Sequence, residues 1–129
     1  MDNKELDILR NLDELVHTKS VLTIIEEAIS EIEYDLESDQ DAVMAWRSLP
    51  LEIYLNPLPE FIKSSWIFIL KKNIVSGAER HPNSHQRMMS YRGSGDFQTK
   101  KNDIWESHLL LNDPEKPVEE RWVSIPENV

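Results

Sequence analysis

The chain has 129 residues, 40% hydrophobic and 29% charged, a size and balance that suit one soluble domain with a single core. It contains no cysteine, which excludes disulfides, zinc–thiolate sites and a cysteine nucleophile. The formal net charge is −10, and it is uneven: residues 1–60 carry 4 Lys/Arg against 15 Asp/Glu, residues 61–129 carry 10 against 9.

An acidic front half repels phosphate backbones, so no nucleic-acid partner is expected. The acidic surface reads as a solvated helix face, with a docking face for a basic partner as the alternative. No apolar run approaches the roughly 18 to 20 residues of a membrane span, so no membrane partner is expected. The opening MDNKELDILRN lacks the cationic and apolar regions of a signal peptide, and the expected location is cytoplasmic.

Residues 2–17 predict an amphipathic helix. Leu6, Leu9, Leu12 and Val16 recur at spacings of three and four, with Leu15 alongside. Asp2 or Asn3 can cap its start. Residues 20–37 predict a second helix, with Val21, Ile25, Ala28, Ile29, Ile32 and Leu36 in one stripe and glutamates on its flanks. Thr18 or Ser20 is the expected cap. So short a pair of helices must pack on a downstream sheet or on another subunit.

The helical pattern ends at SDQD, residues 38–41. Pro50, Pro57 and Pro59 then break any helix, and Leu51, Ile53 and Leu55 alternate as an edge strand would. Residues 65–71, SWIFILK, predict a buried strand with Trp66, Phe68 and Leu70 on one side and Ile67 and Ile69 on the other. Further strands are expected at 86–92, 96–100, 104–111 and 121–125, separated by RGSG, KND and NDPEKPVEE. Trp66, Trp105, Trp122 and Tyr91 read as core and interface packing rather than a stacking pocket. Short strands with Gly and Pro at the joints make the fold mainly β, a sandwich or barrel behind two N-terminal amphipathic α-helices. The expected division is a helical extension, 1–41, and a β domain, 42–129.

The densest polar chemistry lies in residues 77–99, GAERHPNSHQRMMSYRGSGDFQT. Residues two apart on a strand share a face, so Glu79 and His81 can point together, a carboxylate beside an imidazole. Gln86 opens the next strand, and Met88 and Ser90 follow on its face. Gly93 and Gly95 permit a tight turn that returns the chain. Arg87 should face away from Gln86, as an ion-pair partner for the acidic helices. His85 reads as a neighbour that orients the site or as a loop histidine bonded to backbone. Asn83 and Ser84 read as turn formers. Convergence of Glu79, His81 and Gln86 would make a metal site; otherwise they are polar groups bonding one another in a barrel interior.

These residues resemble the first conserved motif of the cupins, G-x5-H-x-H-x(3,4)-E-x6-G, small β-barrels that hold a metal or ligand inside. Glu79 falls at the first histidine, His81 at the second, Gln86 at the glutamate and Gly93 at the closing glycine; Asn73 stands at the leading glycine. HPNSHQ is similar to a segment of the cysteine dioxygenase branch, which also carries acidic helices ahead of its barrel. The resemblance implies a jelly-roll-like barrel and one divalent metal ion, iron first, with manganese, nickel and zinc also open. Its ligands would be Glu79, His81 and Gln86, with His85, Asn83, Met88 and Ser90 around the metal or substrate. The implied reaction is oxidation of a small thiol by dioxygen. The crosslinking cysteine of some members is replaced by Gln86.

WVSIPENV, residues 122–129, resembles the opening of the second cupin motif, with Pro126 at its proline and Asn128 at its glycine. The histidine of that motif would fall past Val129, so the expectation is a piece of a longer reading frame. Two functional readings follow. One is a small-molecule-binding cupin acting as a metal-dependent dioxygenase. The other is a non-catalytic cupin that serves as a ligand sensor or dimerisation scaffold. A small-molecule ligand and a second copy of the chain are the expected partners.

Overall fold

The structure, a computed structural model, describes residues 2–54, 58–74 and 83–127. By internal packing the chain divides into two compact units, Glu14–Ser76 and the pair of segments Met1–Asp13 and Gly77–Val129. The change of composition at residue 41 falls inside the first of these.

Both expected helices form, as α1 (Asn3–Val16) and α2 (Lys19–Ser38). Asp2 caps α1, its Oδ1 accepting the Glu5 N–H at 2.8 Å and satisfying one of the free first-turn donors. Thr18 takes the cap position of α2 but does not cap it. Its hydroxyl donates back to the Leu15 carbonyl at 2.8 Å, closing the end of α1 instead.

In the unit Glu14–Ser76, the whole expected stripe of α2 is buried: Val21, Ile25, Ala28, Ile29, Ile32 and Leu36. It lies on an antiparallel pair, β1 (Met44–Leu49) and β2 (Ser65–Leu70), in the register Ala45↔Ile69, Arg47↔Ile67 and Leu49↔Ser65 on the helix side. Arg47 starts on that side and reaches the carboxylates of Asp35 and Glu31 at the edge of α2. The partner of β2 is therefore not the expected 51–55 strand. Leu51–Ile53 is a single 3-10 turn, with Ile53 N–H on Pro50 O and Tyr54 N–H on Leu51 O. Leu55 lies outside the described residues. The alternation of β1 was hard to read because an arginine faces the helix and a tryptophan faces outward. Among the described residues β2 is covered on one side only. Trp66 and Phe68 stand on the other with Trp46, each about half exposed, and the two indoles meet edge to face at 4.8 Å.

The second unit holds the remaining strands. β3 (Gln86–Met89) pairs antiparallel with β6 (Trp122–Ile125), and β4 (Ser94–Lys101) with β5 (Ile104–Leu111). A short helix, α3 (Val118–Arg121), precedes β6. The β4–β5 hairpin turns at Asn102 and Asp103, both left-handed at φ 53° and 61°, as a two-residue turn matched to strand twist requires. Leu110, Val123 and Ile125 form a core, with Met88 and Phe97 packed against it. Trp122 is buried as expected; Trp105, on the far part of the hairpin, is exposed.

β3 is shorter than the 86–92 expected, because β6 offers it only four partners, the last being Trp122 opposite Met89. The chain then turns through residues 90–93, where the Ser90 hydroxyl bonds the carbonyls of Arg92 and Gly93. Gly93 adopts φ 75° with open space where a side chain would stand, so its requirement is conformational and not steric. This turn does not make a hairpin of β3 and β4: β4 pairs with β5, and Gly95 sits within it opposite Leu110. Among the described residues the β region is antiparallel, in three two-stranded sheets, with no closed barrel. No helix among them is long and apolar enough to cross a membrane.

Candidate functional site

Strand alternation gives β3 two chemically different faces. Gln86 and Met88 sit opposite Ile125 and Val123, on the side of the Leu110 core. His85 and Arg87 lie on the reverse side with Ser124, the cross-strand partner of Arg87. That reverse side meets the first turns of α1.

On α1, Glu5, Leu9 and Asp13 follow one another at intervals of four and so share a helix face. Leu9 is fully buried. Each carboxylate beside it meets an arginine. The Glu5 carboxylate accepts Arg87 Nε at 2.6 Å on Oε1 and Arg87 Nη2 at 3.0 Å on Oε2, a bidentate fork. Asp13 accepts Arg121 Nη1 at 2.7 Å and Nη2 at 2.9 Å, and its Oδ1 also takes the Trp122 indole N–H at 2.9 Å. The Glu5–Arg87 pair is the drier of the two. Its side chains are 14% and 8% exposed.

Ser124 completes the group around Glu5. Its hydroxyl donates to Glu5 Oε1 at 2.7 Å, while His85 Nε2 stands 2.6 Å from the same Oγ and 3.5 Å from Oε1. A serine hydroxyl has one hydrogen. With that hydrogen given to Glu5, His85 Nε2 must carry its own and donate to Ser124 Oγ. In a serine–histidine–acid relay the acid instead holds the opposite ring nitrogen, leaving Nε2 free to accept the serine proton. Here serine and acid both crowd Nε2, so His85 is not placed to activate Ser124 as a nucleophile.

Burial raises the Glu5 carboxyl. Hydrogen bonds from Arg87 and Ser124, with the charge of Arg87, outweigh it and hold the group below its ordinary carboxylate value. His85 is also held below its ordinary value, by burial and then by Arg87, against the opposing pull of Glu5 and Glu127. Both depressed values mean that acid destabilises this arrangement. At neutral pH it is an anionic carboxylate, a guanidinium and a neutral imidazole, balanced in charge.

Of the sequence-predicted ligands, Glu79 and His81 lie outside the described residues. Gln86 opens β3 as expected, with Met88 on its face. His85 is on the reverse of the strand from Gln86, bonded to Ser124. Asn83 is exposed in the turn that leads into β3. Ser90 is past the end of the strand, its hydroxyl used within the turn. His108, on β5, bonds the Thr99 hydroxyl at 3.0 Å. Arg87 has the expected ion pair with an acidic helix, and the structure supplies the partner, Glu5. Sequence reasoning missed the parts played by Glu5, Asp13 and Ser124. The available signal was two carboxylates four residues either side of Leu9, inside the apolar stripe.

Among the described residues, no group of three or more His, Asp or Glu side chains is placed to hold a metal ion. A hollow of about 330 Å³ beside β5, with His108, Lys116, Glu120 and Trp122 in its lining, includes none of the sequence-predicted ligands. No family model matches the chain, and searches of the curated proteins and of the solved structures return no match.

Proposed function

We propose that the chain is a cupin-type small-molecule-binding protein, with a divalent metal held by Glu79, His81 and Gln86 and a small thiol oxidised by dioxygen as its reaction. The antiparallel pairs β3–β6 and β4–β5 would then be parts of a jelly-roll-like barrel. One observation carries this reading. In the spacing Glu79-x-His81-x4-Gln86-x6-Gly93, Gln86 is the first residue of β3, and the closing position is a left-handed turn that glycine adopts without strain.

The donor set fits a divalent cation. Carboxylate and imidazole suit iron, manganese, nickel or zinc, and a carboxamide oxygen adds a neutral, weaker ligand; iron is implied by the resemblance. A metal bound there would supply a place for thiol and dioxygen to meet. The protein's own share is geometry: Gln86 as ligand or hydrogen-bond partner of the substrate, and Met88 as an apolar neighbour on the same face. Metal analysis of the purified protein tests the reading. Stoichiometric iron that is lost in His81→Ala supports it; a folded protein that takes up neither iron nor nickel overturns it.

A second reading, a non-catalytic cupin that serves as a dimerisation scaffold, has its own support. Trp46, Trp66 and Phe68 make an exposed apolar face on β1–β2. Sedimentation of the wild type and of Trp66→Ser decides it: a dimer dissociated by the substitution favours the scaffold, and a wild-type monomer removes it.

A further inference from the structure

The groups gathered by Glu5 bracket Gln86. His85 and Arg87 are its two neighbours in the chain. Ser124 precedes Ile125, which is the cross-strand partner of Gln86. Glu5 bonds Arg87 with both carboxylate oxygens and bonds Ser124, which in turn accepts from His85. One carboxylate on α1 thus fixes the side chains before, after and diagonally across from Gln86, all on the reverse face of the strand.

The strand needs such a constraint. β3 and β6 meet over four residue pairs, and a ladder that short with two strands is weakly held by itself. A slip of one residue would exchange the two faces of β3. Gln86 would turn toward α1, Arg87 would enter the Leu110–Val123–Ile125 core, and the partly buried Glu5 would lose its counter-charge. The fork between Glu5 and Arg87 is directional in a way that apolar contact is not, so it opposes the slip.

We propose that Glu5 is a positioning residue for Gln86: by holding Arg87 and Ser124 from the reverse face, it sets the register of β3 and hence the direction of the Gln86 carboxamide. The functional consequence rests on the reading of Gln86 as part of a ligand site; the positioning itself does not.

Glu5→Gln and Arg87→Lys in the full chain test this. The first removes the charge at constant size, and the second keeps the charge but loses the fork. Three quantities are measured: the Gln86 side-chain amide resonances, hydrogen exchange at the backbone amides of residues 87–89, and binding of Ni2+ alone by titration. In Glu5→Gln the Gln86 resonances should shift and broaden, and exchange at 87–89 should quicken about tenfold or more, with Phe97 and Leu110 within about twofold of wild type. Nickel affinity should fall about tenfold, the usual effect of losing an outer partner. Arg87→Lys should move all three in the same direction by less, and serves if Glu5→Gln does not fold.

Unchanged Gln86 resonances and unchanged exchange at 87–89 would overturn the proposal. So would equal acceleration at Phe97 and Leu110, which marks general loosening and no control of register. If the wild type binds no nickel, the ligand reading fails by itself, and the resonances and exchange still decide whether Glu5 positions Gln86.

Discussion

Each of the two units lays a helix against a two-stranded antiparallel sheet, and the means differ. α2 is held on β1–β2 by an aliphatic stripe, with Arg47 of β1 ion-paired at its exposed edge. α1 instead meets β3 and the α3–β6 junction through two carboxylate–arginine forks, with the fully buried Leu9 between them on the same helix face. Apolar contact is non-directional and gives α2 its adhesion. Forks add direction, and they make the second arrangement answer to pH as well as to packing.

Ile32→Ala should show the largest effect. Ile32 is fully buried in the α2 stripe, and the truncation should cost about 3 kcal/mol in urea unfolding, nearly independent of salt. A small loss would mean that the stripe closes around the gap.

Next comes Arg87→Met, which strands the Glu5 charge in a site with little water. The cost should be about 2 to 3 kcal/mol, at or below the low end for buried pairs because some exposure remains. The double variant Glu5→Leu/Arg87→Met should recover most of it, since two apolar groups leave no unpaired charge. Failure to recover would show that the forks supply more than mutual neutralisation. Asp13→Asn should cost about 1 to 2 kcal/mol, because the amide can still accept from Trp122 while losing the ionic fork.

The pH dependence separates the units more gently. Glu5 has a folded value below its ordinary 4.5, so its contribution is complete above 4.5 and is lost as pH falls through the folded value. The stability gap between wild type and Glu5→Gln should therefore narrow in unfolding curves taken below 4.5. A gap that widens on acidification would reverse the assignment of charge. The smallest effect is expected for Arg47→Gln. Its partners Asp35 and Glu31 are well exposed, and any change in unfolding midpoint should vanish in about 0.5 M salt.

Much of the unit Glu14–Ser76 was legible beforehand. All six stripe residues of α2 were named from spacing alone, because every turn of an amphipathic helix repeats the same information. β5 and the turn at Asn102 and Asp103 were legible for a similar reason, a short run with turn residues at its end. β1 escaped because Arg47 faces the helix and Trp46 faces out, which inverts the usual alternation. At the candidate site Gln86 and the outward role of Arg87 were readable from period-two alternation. The partner of Arg87 was not, since Glu5 looks like any other acid in an acidic helix.

By itself the chain's residue order determined that α1 and α2 coil, that β2 and β5 extend, and which face of α2 is apolar, because those properties repeat within a few residues. The tertiary structure alone decided that β3 pairs with β6 and that Glu5 answers Arg87 at a separation of 82 residues. Pairing across such a distance depends on which apolar faces and which partly buried charges can be satisfied together, and no local period records that choice.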